Sequence, residues 1–248
     1  MAKDRSGSVV KHLRILLMAI MREAVEQNYL LRNPARSLRV PKLRTVTRVY
    51  LTLSQIKALL KATVPWYTRE HALLSLALMT ALRPSELLAL RWRCLDFKKN
   101  AATLTIEETV YRGKLRPFTK TTEEGAVERI TLPVPEPAIG PLLHWHAETK
   151  YNGPDDFVFS TESGGFWWKE NYQRRELTPL AEMAGIKKVN FQMLRRTSAT
   201  HLQHLGSSKD IQTIMRHKKA ETAAQHYIQV IDESVRATAE RLAGKLLK

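Results

Sequence analysis

Acid is scarce in this chain: 24 Asp and Glu face 40 Lys and Arg over 248 residues, a formal net charge of +16. Cysteine is nearly absent, and the lone Cys94 excludes an internal disulfide framework and any zinc site built on clustered cysteines. Long apolar runs are missing too. The longest, Ala72 to Leu82, has 11 residues interrupted by Ser75 and Thr80, too short to span a bilayer. Charged and polar residues break the first apolar stretch, so nothing reads as a signal peptide. There is no Walker-type phosphate loop, no HExxH, no internal repeat and no low-complexity segment. The pairs His144/His146 and His201/His204 lack carboxylates at ligand spacing and read as helix-surface histidines. No metal, ATP chemistry or other cofactor is therefore expected, and the default location is the cytoplasm.

What is present is an ordinary globular composition, 44% hydrophobic and 26% charged, long enough for one large domain or a domain with a small companion. The positive charge falls in two places. Residues 1–50 hold eleven basic residues against three acidic ones, and residues 183–219 hold eight against Asp210 alone. Any one basic run is most simply a solvated surface. Two separated clusters carrying nearly all the net charge point to a nucleic-acid surface.

Val9 to Leu30 has helical apolar spacing (Val9, Leu13, Leu16, Ile20, Ala24) and is expected to stop at Asn33-Pro34. Ala35 to Arg48 is basic and aperiodic, a linker able to lie along a phosphate backbone. Thr52-Leu53-Ser54-Gln55 reads as a capping box, followed by helices near 69–81 and 84–90. Residues 102–110, 115–120 and 127–132 read as three short strands. A helix follows at 139–149, and after Trp168 helices are expected near 169–184, 191–205, 208–216, 219–228 and 232–247. The fold class is mainly α with a small antiparallel β-sheet, α+β. Three parts are expected: 1–34, a basic linker over 35–49, and a main domain over 50–248.

The residues able to carry chemistry are cations and one tyrosine. Arg83 sits at a helix-to-helix joint with Glu86 three residues on, Arg195 and Arg196 open a helix, and His217 precedes Tyr227 by ten residues. Lys120 caps a strand, with Arg129 returning opposite. Each has a plain structural alternative. Arg83 could pair with Glu86 across one helix turn. Tyr227 could be a core tyrosine, as Tyr67, Tyr111, Tyr151 and Tyr172 are read to be, and Lys114 competes with Lys120 in the same hairpin region. Arg196 suits phosphate contact or capping better than catalysis, and Trp167-Trp168 suits packing better than base stacking.

At these residues the chain resembles the tyrosine recombinases, the phage lambda-type integrases. Thr80–Leu87 matches T-G-L-R-x-x-E-L with Ala81 in place of glycine. Gln192–Thr200 matches H-x-L-R-[HR]-T-x-A-T with Gln192 in place of histidine. Met215-Arg216-His217 and Tyr227 match L-G-H followed nine or ten residues later by tyrosine, and Lys120 matches the hairpin lysine. The resemblance runs over roughly residues 8 to 240. It implies a lambda-integrase-like DNA breaking-rejoining catalytic domain, with residues 1–34 as the end of a helical core-binding domain.

For such a reaction a Tyr227 hydroxyl would store the phosphodiester energy as a phosphotyrosine ester, without water or metal. Arg83 and Arg195 would hold the phosphate oxygens by planar, permanently charged donors. Lys120 would protonate the departing 5′ oxygen, and His217 would orient the phosphate. Glu86 supports Arg83. Gln192 can donate a hydrogen bond but carries no proton or charge, which predicts slower cleavage. Lys42, Arg44, Arg48, Arg196, Lys218 and Lys219 are expected to contact DNA. The implied partners are double-stranded DNA at attachment sites and further copies of the chain, a homotetramer on DNA and a monomer in isolation, with accessory DNA-bending proteins as optional partners and no membrane. The helix at 232–247 is expected to pack on a neighbouring subunit. Only the last helix of the clamp is expected, whether by truncation or gene decay, so DNA binding should be weak and salt-sensitive. A DNA-binding remnant without catalysis and a type IB topoisomerase-like relaxase are the alternatives.

Overall fold

The computed structural model describes residues 7–39, 49–64, 66–98, 101–117, 129–202, 213–216 and 233–247. It divides into two compact units, Met1–Arg48 and Val49–Lys248.

The first unit is a helix and a returning turn. Helix α1 (Gly7–Glu26) has the expected spacing but ends before Asn33-Pro34. Asn28 takes φ +62°, and the amides of Tyr29 and Leu30 bond the Ala24 carbonyl at 2.8 and 3.1 Å. A left-handed residue just past the last turn closes helices, and asparagine tolerates that conformation better than most side chains. Asn33 instead opens a 3-10 turn at Pro34–Ser37, accepting from the Ala35 amide at 2.9 Å and donating to the Met18 carbonyl at 3.0 Å. Arg14 Nε reaches the Leu38 carbonyl at 2.8 Å. The start of the expected linker is thus tied back to α1. Lys42, Arg44 and Arg48 lie outside the described residues.

In the second unit α2 (Leu53–Thr63) opens on the expected capping box: Thr52 Oγ1 accepts from the Gln55 amide at 3.3 Å, and Gln55 Oε1 accepts from the Thr52 amide at 2.9 Å. Helix α3 (Thr68–Thr80) contains most of the long apolar run and is buried at every position from Ala72 to Thr80. A helix apolar on all sides belongs in the centre of a domain. It stops at Ala81, and α4 (Pro84–Leu87) begins almost at once with proline in its first turn.

Five short strands follow among the described residues: β1 (Leu95–Asp96), β2 (Thr103–Ile106), β3 (Thr109–Tyr111), β4 (Lys114–Arg116) and β5 (Ile130–Pro133). They form an antiparallel β1-β2-β5 sheet and a separate β3-β4 hairpin. The strand expected over 102–110 is therefore broken, at Glu107-Glu108. Glu107 pairs with Arg93 and Arg129, and Glu108 pairs with Arg91 at 2.7 Å, so the chain leaves the ladder to serve three cations. The hairpin turns on Arg112 and Gly113, both at positive φ, as a two-residue turn matched to strand twist requires.

Helix α5 (Glu136–Glu148) packs along α3. Helices α6 (Lys169–Tyr172) and α7 (Thr178–Met183) join through a π turn at Gln173–Leu177. Pro179, which has no amide to give the preceding turn, accounts for that irregularity. Helix α8 (Phe191–Leu202) packs on α3, and Ser198 Oγ donates to the Leu78 carbonyl at 2.7 Å. The last helix, α9 (Glu233–Leu247), corrects one expectation. Its face of Ala239, Leu242, Ala243 and Leu246 is buried against this chain's own α2, α3, α5 and α8, so that face is not free for a neighbouring subunit. No described helix is long and apolar enough to cross a membrane.

Candidate functional site

The site grows from two left-handed residues. Ala81 ends α3 at φ +50°, and Arg216 turns the chain at φ +51° after the helical residues at 213–215. Each conformation costs a non-glycine residue roughly 1–2 kcal/mol. Together they present the carbonyls of Ala81, Met215 and Arg216 to one place, where three guanidiniums meet them.

Arg83 is held in extended backbone by the proline that follows it. Its Nη1 meets Glu86 Oε1 at 2.7 Å, its own amide donates to Glu86 Oε2 at 2.8 Å, and its Nη2 donates to the Arg216 carbonyl at 2.9 Å. Arg195, at the start of α8, donates Nη1 to the Ala81 carbonyl and Nη2 to the Met215 carbonyl. The two arginines, 112 residues apart in sequence, thus share the turn at residues 215–216 as an anchor, and Arg195 also holds the Ala81 carbonyl. The pairing of Arg83 with Glu86 and a phosphate role for Arg83 are compatible, since the ion pair fixes the guanidinium from behind.

The third guanidinium belongs to Arg216. Its side chain is buried, donating Nη2 to Glu86 Oε2 at 2.6 Å and to the Ala81 carbonyl at 3.3 Å, and Nη1 to the Ile214 carbonyl at 3.0 Å. Its Nε has no hydrogen-bond partner among the described residues. By composition this residue belongs to the basic cluster over residues 183–219, expected to face nucleic acid. The signal that could have found it is its position in the L-G-H pattern: where glycine is usual the backbone turns left-handed, and the turn here points the side chain inward.

One carboxylate therefore pairs with two cations, Arg83 and Arg216, and attracts a third, Arg195, at longer range. Burial pushes the Glu86 carboxyl up, but Arg216 and Arg83 outweigh it and hold the group below its ordinary value. Burial, with repulsion from Arg216 and Arg83, lowers the Arg195 guanidinium to about 9 despite the pull of Glu86. Arg195 stays charged at neutral pH, in a place where its charge is costly until an anion arrives.

Arg196 donates to the Val49 carbonyl at 2.8 Å, tying α8 to the start of the unit. Gln192 is exposed one helical turn before Arg195, on the same side of α8. Lys120, His217, Tyr227, Lys218 and Lys219 lie outside the described residues. His201 is partly buried and bonds the Leu51 carbonyl at 3.0 Å, unlike the surface residue expected. His144 does find a carboxylate, Glu148, at 2.9 Å. Among the described residues no group of three or more histidine, cysteine or acidic side chains could hold a metal ion. Of the expected core tyrosines Tyr172 is fully buried, whereas Tyr67 and Tyr111 are exposed. Of the tryptophan pair, Trp167 is buried and bonds the Ser160 carbonyl at 3.1 Å, while Trp168 is half exposed beneath the β3-β4 turn.

The pattern that defines the phage integrase family matches residues 49–234. The chain belongs to the phage integrase family. Tyrosine recombinase XerC of Xanthomonas axonopodis pv. citri is 29% identical over 211 residues, covering 81% of this chain and 63% of the relative. A XerC-like recombinase of Caldanaerobacter subterraneus is 26% identical, covering 97% of this chain and 67% of that protein. The chain thus spans about three fifths to two thirds of the length of these curated relatives. Among solved structures, the Tn1549 transposon integrase in complex with circular intermediate DNA superposes at TM-score 0.71 with 20% identity, over 95% of this chain and 79% of that one. A lambda integrase dimer bound to a core site superposes at TM-score 0.62 with 17% identity, over 86% and 73%. The chain therefore has the lambda-type catalytic fold, and the left-handed residues Ala81 and Arg216 stand where the motifs it resembles have glycine.

Proposed function

We propose that this chain is a tyrosine-type site-specific recombinase that cuts and rejoins DNA through a 3′-phosphotyrosine intermediate. The observation that carries the reading is the convergence of Arg83 and Arg195 on one carboxylate-buttressed site. A phosphodiester seated there gains two planar cationic donors, and the extra charge of the pentacoordinate transition state strengthens both contacts. Removing one such donor costs on the order of 3–4 kcal/mol.

In the first step the Tyr227 oxygen bonds to phosphorus and the bond to the 5′ oxygen breaks. The tyrosine proton is lost to His217 or water, and Lys120 protonates the departing oxygen. A 5′ hydroxyl from another strand then reverses the step and releases Tyr227. The ester bond is conserved throughout, so ATP is not required, and guanidiniums supply the charge a metal would otherwise bring. Arg196, Lys218, Lys219, Lys42, Arg44 and Arg48 hold the duplex. Residues 1–34 act as the end of a core-binding domain and 35–49 as its linker. Solved neighbours include a lambda integrase tetramer bound to a Holliday junction, which supports a tetramer acting on two duplexes.

A second reading has an observation in its favour. Three departures from the family pattern, Ala81, Gln192 and Arg216, cluster at this site, as a catalytically weak DNA-binding chain would show. Nicked suicide duplexes carrying the sequences that flank the gene decide between the two. The recombinase reading expects a denaturant-resistant protein–DNA adduct that disappears in Tyr227→Phe. DNA binding without any adduct supports the second reading, and an adduct persisting in Tyr227→Phe excludes Tyr227 as nucleophile.

A further inference from the structure

Glu86 is fully buried and faces Arg83 on one side and Arg216 on the other. With Arg83 alone, its single negative charge would cancel the positive charge that Arg83 offers to a substrate phosphate. Arg216 changes that balance. Its Nη2 takes up Glu86 Oε2 from the core side, while Arg83 keeps Oε1 and remains partly open to solvent. The same Nη2 also bonds the Ala81 carbonyl, the group that receives Arg195. The backbone carbonyl of Arg216 receives Arg83 directly. Arg216 thus touches Glu86 and the Ala81 carbonyl and supplies its own carbonyl to Arg83, yet its guanidinium is sealed inside, with side-chain exposure of 4%.

We propose that Arg216 is a positioning residue that neutralises Glu86 from within the core, leaving Arg83 and Arg195 aimed outward with their charges uncompensated for an anionic phosphodiester. This rests on the recombinase reading for the identity of the anion, but the charge arrangement itself stands on the described residues. Three guanidiniums around one carboxylate leave a surplus of two positive charges in a partly buried place, which favours an oxyanion over any neutral ligand. Arg216 acts through Glu86, Ala81 and its own carbonyl, never on substrate.

The test uses the full chain with Arg216→Met, which deletes charge but keeps bulk; Arg216→Lys, which keeps charge but not the fork; and Arg216→Gly, which also relaxes the backbone. Two readouts are needed. The first is the single-turnover rate of adduct formation on a nicked suicide duplex, set beside the DNA dissociation constant. The second is the rise in melting temperature produced by orthovanadate. Arg216→Met and Arg216→Gly should slow adduct formation about 10- to 100-fold while the dissociation constant moves less than about threefold, because most duplex contacts lie elsewhere. Both should lose most of the vanadate shift, and Arg216→Lys should recover at least half of each effect. A purely structural role would lower the melting temperature of unliganded protein and leave the rate of the folded fraction and the vanadate shift intact; that result overturns the proposal. Arg216→Gly guards against misfolding of Arg216→Met, since it removes the left-handed strain. If wild type forms no adduct, the recombinase reading fails, and the vanadate shift across the three variants still decides the role of Arg216.

Discussion

Replacing Glu86 by Gln removes one charge and almost no volume from a side chain with no solvent exposure. The carboxylate accepts three charged or backbone hydrogen bonds: from Arg83 Nη1 at 2.7 Å, the Arg83 amide at 2.8 Å and Arg216 Nη2 at 2.6 Å. Glutamine can keep one oxygen acceptor, but its amide nitrogen then faces a donor. Arg83, Arg195 and Arg216 are left with no counter-charge among them. Breaking a buried ion pair by removing one partner costs about 3–5 kcal/mol. Hydrogen bonds to charged groups at about 1.5–3 kcal/mol each put three of them at or above the upper end of that range. For a unit of this size, about 4 kcal/mol corresponds to a fall of roughly 8–16 °C in melting temperature. The acid side supplies a second check. Arg216 and Arg83 outweigh burial and hold the folded Glu86 carboxyl below its ordinary value. Its stabilisation is therefore complete above the unfolded value and disappears as pH falls through the folded one. Urea melts of wild type and Glu86→Gln between pH 7 and pH 3 should differ by about 4 kcal/mol at pH 7, and the difference should shrink steadily as pH falls below the unfolded value. A difference under 1 kcal/mol at pH 7, or parallel curves down to pH 3, would refute the account of Glu86 as the counter-charge of the cluster.

Arg195→Gln should leave the unliganded melting temperature within a few degrees, because lost carbonyl contacts are offset by relief of burial and repulsion. In single-turnover adduct assays it should lose at least 10²-fold in rate. In wild type, the orthovanadate stabilisation should decline as pH rises through about 9, where Arg195 loses its proton, and thermal shift measurements at pH 7.5 to 10 would show it. Gln192→His should speed strand cleavage about tenfold by restoring a group able to carry a proton; an unchanged rate removes position 192 from the catalytic account. Gly113→Ala would drive a methyl into the Trp168 ring at a φ of +72°. It should cost about 1–3 kcal/mol in urea melts, with a change in tryptophan emission as Trp168 moves aside.

Local rules made much of the fold legible. The Thr52–Gln55 capping box, the proline opening of α4 and the all-round burial of α3 follow from short stretches of chain. The four motifs likewise led to Arg83 and Arg195 as a pair before any geometry was known. What stayed hidden depends on contacts across long separations. The break at Glu107-Glu108 is made by Arg91, Arg93 and Arg129, which no window around residue 107 contains in register. The apolar stripe of α9 shows that the helix must be covered but not whether its own chain or another copy covers it. Arg216 escapes for a simpler reason. An arginine beside His217, Lys218 and Lys219 belongs by composition to a basic cluster expected on a nucleic-acid surface, and only the left-handed backbone at 216 turns it inward to Glu86.

The departures at Ala81 and Arg216 cost backbone strain, yet they leave the arginine anchors intact, because those anchors are main-chain carbonyls. Arg195 is held by the carbonyls of Ala81 and Met215, and Arg83 by that of Arg216 and by the carboxylate. Glycine is favoured at such turns because it adopts positive φ without steric cost, not because its side chain does anything. An alanine buried in α3's last turn and an arginine neutralised by Glu86 can take the same φ if packing and the ion pair hold them there. Each residue then contributes something glycine lacks: a methyl in the core, and a second cation behind the carboxylate. The strain of the two turns, about 1–2 kcal/mol apiece, is of the size that one buried methyl and one charged hydrogen bond can offset. The geometry of the Arg83–Arg195 pair is consequently set by the path of the backbone, and motif departures that preserve that path preserve the site.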